Sequence, residues 1–157
     1  FNYINIINNY KYFTGLGEYY RNDNLIYIGE IKNNNIQGNG EYYIKNRIKW
    51  KGIFTTDTNN NIIINGYGIE YYKDGTVKYI GDFKNSEKDG YGTYYIAPNK
   101  ILYEGQYKNN KRHGHGILYY YHKIDNNINK RNPDYLYLKR IVKSTFKNDL
   151  IWNYKNI

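Results

Sequence analysis

The sequence predicts an all-β protein, an elongated single-layer antiparallel sheet of tandem β-hairpins. The first observation behind this prediction is a Gly-x-Gly pair followed closely by tyrosines, which recurs along the chain. The second is an aromatic-x-Gly pattern whose copies start 23, 29 and 24 residues apart, a period typical of short repeat arrays. The Gly-x-Gly copies read GLGEYY at Gly15, GNGEYY at Gly38, GYGIEYY at Gly66, GYGTYY at Gly90 and GHGILYY at Gly114.

Composition is the third observation. The chain has 157 residues, which suits one compact domain or a short array, and 40% of them are hydrophobic. Tyrosine alone contributes 23 residues, whereas Met and Cys are absent, so the apolar material consists mainly of amphipathic rings. Such a composition does not favour a thick central core.

The repeat divides the whole chain, residues 1–157, into units that we place at about 4–26, 27–49, 50–78, 79–102, 103–141 and 142–157. The two outer units are degenerate, and in the last one Ser144 stands where a glycine is expected. Unit 50–78 is longer because of a polar insertion, TTDTNNN. We interpret the many asparagine runs as a result of codon bias.

Each unit contains two extended segments joined by a polar stretch such as KNNNIQ, KNSEKD or KNNKRH, which predicts a hairpin with a loop of several residues. Because side chains alternate along a strand, Tyr79, Gly81 and Phe83 are expected on one face. Glycine leaves bare backbone there, which suggests that it accommodates an aromatic ring from the adjoining repeat. The pattern residues are Tyr27, Gly29, Gly38, Gly40, Trp50, Gly52, Gly66, Gly68, Tyr79, Gly81, Gly90, Gly92, Tyr103, Gly105, Gly114 and Gly116.

A second set of tyrosines occupies the third position after each glycine pair. Alternation places them on the face away from the glycines, where we predict a cross-strand ladder, with a partner-binding stripe as the alternative. They are Tyr20, Tyr43, Tyr71, Tyr95 and Tyr119.

These units resemble the MORN (membrane occupation and recognition nexus) repeat, whose form is Y-x-G-[ED]-[WF]-x-[ND] followed by G-x-G-x-[YF]. The unit starting at Tyr79, YIGDFKN followed by GYGTY, matches best, and those starting at Tyr103 and Tyr27 come next. The unit starting at Trp50 departs from the form, because Ile53 occupies the acidic position and its loop is longer. The resemblance covers about residues 4–152.

The resemblance implies a β-hairpin array used in scaffolding, in dimerisation and in attachment to membrane-associated structures. It also implies a second possibility, an accessory region of a larger enzyme such as a phosphatidylinositol phosphate kinase or a lysine methyltransferase. We therefore expect a non-enzymatic scaffold segment that associates with a protein partner or with itself at a membrane-associated or cortical cytoskeletal structure. A shared module does not by itself fix a shared function.

Positive charge is concentrated at one end of the chain. Residues 1–99 hold 11 basic and 10 acidic side chains, whereas residues 100–157 hold 12 basic and 4 acidic ones. We predict contact with anionic lipid or an acidic partner there, with solubility of an edge-protected sheet as the plain alternative and nucleic acid as a weaker one. The candidate binding residues are Lys108, Lys111, Arg112, His113, Lys139 and Arg140.

Other chemistry is not indicated. The pair His113 and His115 has no third ligand nearby in sequence, and the Gly-x-Gly pairs lack the third glycine of a phosphate-binding loop. Ser86 and Ser144 lack any catalytic signature. We expect no metal, cofactor or active site. The absence of cysteine favours a reducing compartment, so the prediction is a cytoplasmic protein, with peripheral attachment to a membrane as an option.

Overall fold

A computed structural model describes residues 12–123 and 136–153 of the chain, and all of its regular structure in these ranges is β-strand. The strands are β1 Gly15–Arg21, β2 Asn24–Lys32, β3 Asn35–Ile44, β4 Arg47–Thr56, β5 Ile62–Tyr71, β6 Val77–Lys84, β7 Glu87–Ala97, β8 Lys100–Lys108, β9 Lys111–Lys123, β10 Leu136–Lys147 and β11 Leu150–Asn153.

All eleven strands belong to one sheet, and their order in the sheet is their order in the chain. Every neighbouring pair is antiparallel. The predicted all-β fold of tandem hairpins in a single open antiparallel sheet is confirmed. Residues 124–135, between β9 and β10, lie outside the described residues.

The hairpin connections are tighter than the sequence suggested. The polar segments continue the strands, and most turns contain only two residues, both with positive φ. Because this geometry is that of a type I′ turn, which asparagine tolerates well, the asparagines have a conformational role that codon bias does not describe. These turns are Asn22–Asp23, Asn33–Asn34, Lys45–Asn46, Asn85–Ser86, Asn109–Asn110 and Asn148–Asp149.

Residues 57–61 of the predicted insertion in unit 50–78 form a longer turn after β4, whereas Thr55 and Thr56 pair with β5. Asp57 organises this turn, because one carboxylate oxygen accepts the N–H groups of Asn59 at 2.9 Å and Asn61 at 2.8 Å. The Asn61 side-chain amide donates to the other oxygen at 3.0 Å. The extra residues therefore lie beyond the ladder, and the strand register on either side of the insertion is preserved.

One register relationship runs across the sheet from β1 to β10. A glycine of each strand pairs with a glycine of the next strand, and the row ends at Ser144, as predicted. We call the face that contains this row the glycine face, and the other the opposite face. The row is Gly17, Gly29, Gly40, Gly52, Gly68, Gly81, Gly92, Gly105, Gly116 and Ser144.

The core lies on the glycine face. Its largest fully buried side chains are Tyr27, Tyr79, Tyr103, Phe54, Phe146 and Ile64. The sheet has no second layer of helices or strands in the described ranges, so these rings bury one another across their own sheet. Tyrosine is suited to this arrangement because its ring fills space while its hydroxyl group reaches a polar partner.

Candidate interaction surfaces

A second row, mainly aromatic, runs beside the glycine row on the glycine face. Its residues pair directly across the strands in the same way as the glycines do. The row is Tyr19, Tyr27, Tyr42, Trp50, Glu70, Tyr79, Tyr94, Tyr103, Leu118 and Val142. One charged residue, Glu70, interrupts it.

The tyrosine that begins a unit covers that unit's own glycines. A Cβ atom on Gly92 would overlap the ring of Tyr79, and one on Gly81 would lie 2.6 Å from the Tyr79 hydroxyl oxygen. The prediction that the ring comes from the adjoining repeat was therefore wrong. The adjoining repeat contributes Tyr107, which meets Tyr79 edge to face with the ring centroids 5.2 Å apart. Because Gly92 has no side chain, rings from β6 and β8 touch above β7.

The hydroxyl groups of these tyrosines donate hydrogen bonds to the backbone where the strand pairing is irregular. The extra residues of each bulge lie on the second strand of the hairpin, because Glu30, Asp82 and Gln106 each face three residues of that strand. Each carbonyl oxygen accepts a hydrogen bond from the tyrosine three residues earlier, at 3.2 Å from Tyr27, 3.2 Å from Tyr79 and 3.0 Å from Tyr103. Burial, together with the charge of Glu30, raises the pKa of Tyr27 to about 12, which keeps it a hydrogen-bond donor.

The side chains of the same three residues, each opposite a bulge, also bind the backbone. Each accepts the N–H of the residue between the two glycines of the unit's second strand: Glu30 from Asn39 at 3.0 Å, Asp82 from Tyr91 at 2.8 Å and Gln106 from His115 at 2.8 Å. The acidic position of the repeat is thus a structural acceptor, a role that the sequence analysis did not assign. Gly38 and Gly90, with φ values of +122° and +118°, lie directly against these side chains.

The unit that begins at Trp50 packs differently. Ile53 lies opposite the bulge of this unit, residues 65–67, and its side chain has no hydrogen-bond acceptor. Ile64, rather than Trp50, covers Gly52 and Gly68. Trp50 is half-buried and instead packs against Tyr42, with the ring centroids 5.5 Å apart. The sequence departures of this unit therefore change the packing and leave the strand register intact.

Glu70 is the one buried acidic side chain in the described ranges, with 5% of the residue exposed. Lys49 and Lys78 donate to Oε1 at 2.6 and 2.8 Å, and the Lys88 ammonium group lies 2.9 Å from Oε2 as an ion pair. Burial alone would raise the pKa of Glu70, but the three lysines outweigh it and lower the pKa to about 2. We call Lys49, Lys78, Lys88 and Glu70 the lysine cluster.

The opposite face carries the predicted second set of tyrosines, and several of these are tied to glutamates. Tyr20 donates to Glu18 at 2.6 Å, Tyr43 to Glu41 at 2.6 Å and Tyr119 to Glu104 at 2.5 Å. These hydrogen bonds raise the pKa of Tyr43 and of Tyr119 to about 12. They give the predicted ladder a polar component.

The opposite face also exposes large apolar side chains. Ile53, Tyr67 and Tyr91, on β4, β5 and β7, each lie between two residues of the glycine face and are 46%, 63% and 59% exposed. The row beside them is mixed in charge, with Glu41, Lys51 and Glu104 among isoleucines. This part of the sheet therefore offers apolar contact area without a single dominant charge.

Four of the predicted binding residues lie around the Asn109–Asn110 turn. Lys108 and Lys111 pair across the turn and are exposed, as is His113. Lys108 forms a salt bridge with Asp89 at 3.0 Å. Arg112 is half-buried, pairs with Asp149 at 3.1 Å and covers the rings of Tyr103 and Phe146, so its role is structural.

Lys139 and Arg140 lie elsewhere. Arg140 pairs with Tyr120 near the start of β10, whereas β10 reaches Gly114, close to the Asn109–Asn110 turn, only at Phe146. Six residues of extended chain separate these points, a distance of about 20 Å. The six candidate binding residues therefore form two groups at different places along the strands.

The remaining polar candidates have structural partners. The Ser86 hydroxyl oxygen accepts the Ile64 N–H at 3.2 Å, and His115 Nδ1 lies 3.4 Å from Thr145 Oγ1. Within the two described ranges, no three His, Asp or Glu side chains come together in a way that suits a metal ion. None of the described residues forms a helix that would reach across a lipid bilayer.

Comparison with known proteins agrees with this geometry. The family model for the MORN repeat matches four segments, residues 27–47, 60–77, 79–99 and 103–121, which together make up about half of the chain. The matches leave out residues 48–59, which include Trp50 and Ile53, where the unit packs differently. A search of curated proteins gives no match. With its repeated hairpins, glycine row and covering tyrosines, the chain belongs to the MORN repeat family.

Proposed function

We propose that this chain is a non-enzymatic scaffold segment that mediates protein–protein association, including association with a second copy of itself. One observation carries the proposal: the opposite face exposes Ile53, Tyr67 and Tyr91 on β4, β5 and β7 of an open sheet. Aromatic and aliphatic side chains of this kind are enriched at the centres of protein interfaces. The mixed charges of the adjacent row avoid the repulsion that a net charge of +9 would otherwise cause between copies.

Sedimentation velocity over a concentration series at physiological salt tests self-association. The combined substitutions Ile53→Ser, Tyr67→Ser and Tyr91→Ser should abolish a concentration-dependent dimer. The control substitutions Ile44→Ser, Ile96→Ser and Leu138→Ser remove side chains of similar exposure, 45%, 44% and 48%, and should leave the dimer intact. Equal association of both variants would overturn the proposal for this face.

The exposed basic residues of the C-terminal part support a second role, contact with anionic lipid at a membrane-associated or cortical structure. Lys111, Lys139 and Lys143 are exposed, and each basic residue near an anionic surface contributes about 1 kcal/mol of binding free energy. Their loss together should therefore remove most of the affinity. Arg112 is excluded from this set because it packs against Tyr103 and Phe146.

Co-sedimentation with vesicles that are neutral, phosphatidylserine-containing or phosphoinositide-containing tests the lipid role. We expect the native chain to pellet with anionic vesicles at physiological salt and the variant Lys111→Ser, Lys139→Ser, Lys143→Ser to stay in the supernatant. The control Lys32→Ser, Lys45→Asn, Lys84→Ser removes the same charge from other exposed positions and should still pellet. Loss of binding in both variants would show that vesicle binding depends on net charge alone and not on these three lysines.

A second candidate function keeps the same surfaces but gives them a different purpose. In this alternative the chain is the accessory MORN region of a larger enzyme, such as a phosphatidylinositol phosphate kinase or a lysine methyltransferase, and a catalytic domain is part of the same polypeptide. The family membership of the chain favours it equally. Sequencing the complete transcript distinguishes the two, since only the accessory region is joined to a catalytic domain.

A further inference from the structure

The lysine cluster marks a point where one repeat unit departs from the others in a correlated way. The aromatic row contains Glu70 on β5, whereas the second strands of the other units supply Tyr42, Tyr94 and Leu118. On β2, β4, β6 and β8, one bulge residue stands directly before the residue of the aromatic row, and on the two strands beside β5 it is a lysine. It is Lys49 on β4 and Lys78 on β6, but Ile26 on β2 and Leu102 on β8. Positions that are apolar or aromatic in other units are therefore charged here, and their side chains, Lys49, Glu70 and Lys78, contact one another.

The charges of this cluster do not balance. Three ammonium groups contact one carboxylate, which leaves an excess of two positive charges. Each ammonium group has three donors, and Glu70 occupies one donor on each of Lys49 and Lys78. The lysine side chains are 26%, 26% and 13% exposed, so solvent reaches the cluster mainly at Lys49 and Lys78. Partial burial weakens screening, which strengthens attraction for a further anion.

A cleft lined partly by basic residues lies close in sequence to Lys49 and Lys78. It is open, has a volume of about 450 Å³, and is lined by Arg47, Ile48, Lys73, Asp74 and Gly75. Arg47 donates to the Lys73 carbonyl oxygen at 3.2 Å. Aromatic rings border the cluster, since Lys49 lies over Trp50 and Lys78 over Tyr72.

We propose that Lys49, Lys78 and Lys88 bind the carboxylates of an acidic segment of a protein partner. This inference rests on the proposed function and names the chemistry of one partner. An open sheet face would bury little of a small molecule, whereas a protein segment can follow it and contact Trp50 and Tyr72. A second copy of the chain, at a net charge of +9, is a poor source of that segment.

Fluorescence anisotropy with a labelled octaglutamate peptide at physiological salt tests the site. Lys49→Gln with Lys78→Gln should weaken binding about tenfold, because each glutamine keeps a donor for Glu70 but loses the charge. Lys32→Gln with Lys84→Gln is the charge-matched control at exposed positions and should change the affinity by less than about threefold. Equal losses in the two double variants would overturn the proposal.

Glu70→Gln gives a second, opposite test. Because it removes the competing carboxylate, it should tighten octaglutamate binding about tenfold, whereas Glu41→Gln on the opposite face makes the same change in net charge with little effect. Unchanged or weaker binding by a folded Glu70→Gln protein would contradict the proposal. Near-UV circular dichroism of the tyrosines establishes that each variant is folded.

Two further measurements identify the chemical class of the anion and test whether this inference stands independently of self-association. If octaglutamate does not bind while inorganic phosphate or anionic vesicles do so through Lys49 and Lys78, the ligand is a phosphate group and the proposal fails. The sedimentation assay reports on the opposite face, so the lysine variants should retain self-association. If the native chain forms a dimer but does not bind octaglutamate, only this inference is overturned. If the native chain binds octaglutamate but forms no dimer, only the proposed self-association is overturned.

Discussion

The ring of Tyr79 lies against the backbone of Gly92 in the paired strand and leaves no space there for a Cβ atom. The hydroxyl group of the same tyrosine donates to the Asp82 carbonyl oxygen at 3.2 Å, so both the ring and the hydroxyl group are held in place. Tyr27 with Gly40 and Tyr103 with Gly116 repeat the contact. The glycine row and the tyrosines therefore form a single packing system.

The first prediction concerns this contact. Gly92→Ala should lower the free energy of unfolding by about 2–3 kcal/mol, because the ring of Tyr79 must leave its position to admit the methyl group. Gly17→Ala is the matched control, since its nearest neighbour is the flexible end of Ile31, and should cost less than about 1 kcal/mol. Urea denaturation followed by tyrosine fluorescence measures both, and equal losses would contradict the packing argument.

The second prediction concerns the acidic position of the repeat. Asp82→Ala should cost about 1–2 kcal/mol, because the Tyr91 N–H loses its acceptor. Asp82→Asn keeps a side-chain oxygen in the same place and should cost less. The same denaturation experiment compares them. If Asp82→Asn is as damaging as Asp82→Ala, the negative charge of Asp82 matters more than the hydrogen bond.

The third prediction concerns the turns. Asn110 has a φ of +66°, its side chain accepts the Lys88 N–H at 2.9 Å, and its own N–H donates to the Lys88 carbonyl oxygen at 3.0 Å. Asn110→Gly loses only the side-chain hydrogen bond, whereas Asn110→Ala also places a Cβ atom in the left-handed region. Thermal unfolding should therefore show the alanine variant to be less stable than the glycine variant by about 1 kcal/mol. Equal stability would show that the turn conformation costs nothing.

The fourth prediction concerns pH. The pKa of Glu70 in the folded chain is about 2, below its ordinary value of 4.5, so its stabilising effect is complete above pH 4.5 and disappears as the pH falls towards 2. Near pH 7, Glu70→Gln should destabilise the chain by about 2 kcal/mol. The difference between native and variant should shrink between about pH 5 and pH 2. Glu41, Asp57 and Asp89 also have lowered pKa values, but they are common to both proteins and cancel in the comparison.

Acid denaturation monitored by circular dichroism at a series of pH values measures this difference. The control Glu87→Gln changes an exposed residue at the start of β7 and should track the native protein throughout. A destabilisation by Glu70→Gln that stays constant from about pH 5 to pH 2 would contradict the assignment of the ion pairs.

Much of the fold follows from the sequence because each unit repeats the same local preferences. The spacing of Tyr79, Gly81 and Phe83 defines one face of a strand, and repetition of that spacing places Ser144 correctly at the end of the glycine row. What alternation does not reveal is which ring covers which glycine. That depends on the reach of the tyrosine side chain across a paired strand, which is a property of the assembled sheet.

The interaction surfaces were harder to predict. Counting charges along the chain placed the basic region after residue 100, yet the lysine cluster lies among residues that are nearly neutral as a group. Register shifts at Lys49 and Lys78 direct their side chains towards Glu70, and a strict alternation of faces does not foresee such shifts. One signal was available in the sequence, because Glu70 takes the position that Tyr42 and Tyr94 hold in other units.

The most direct test of the proposed scaffold role compares two methyl groups by nuclear magnetic resonance while the protein concentration is raised at physiological salt. Ile53 is exposed on the opposite face, and Ile64 is buried on the glycine face. We expect the Ile53 methyl signals to shift or broaden with concentration, while the Ile64 signals stay unchanged. Constant Ile53 signals at all concentrations, or equal changes in Ile64, would contradict association through the opposite face.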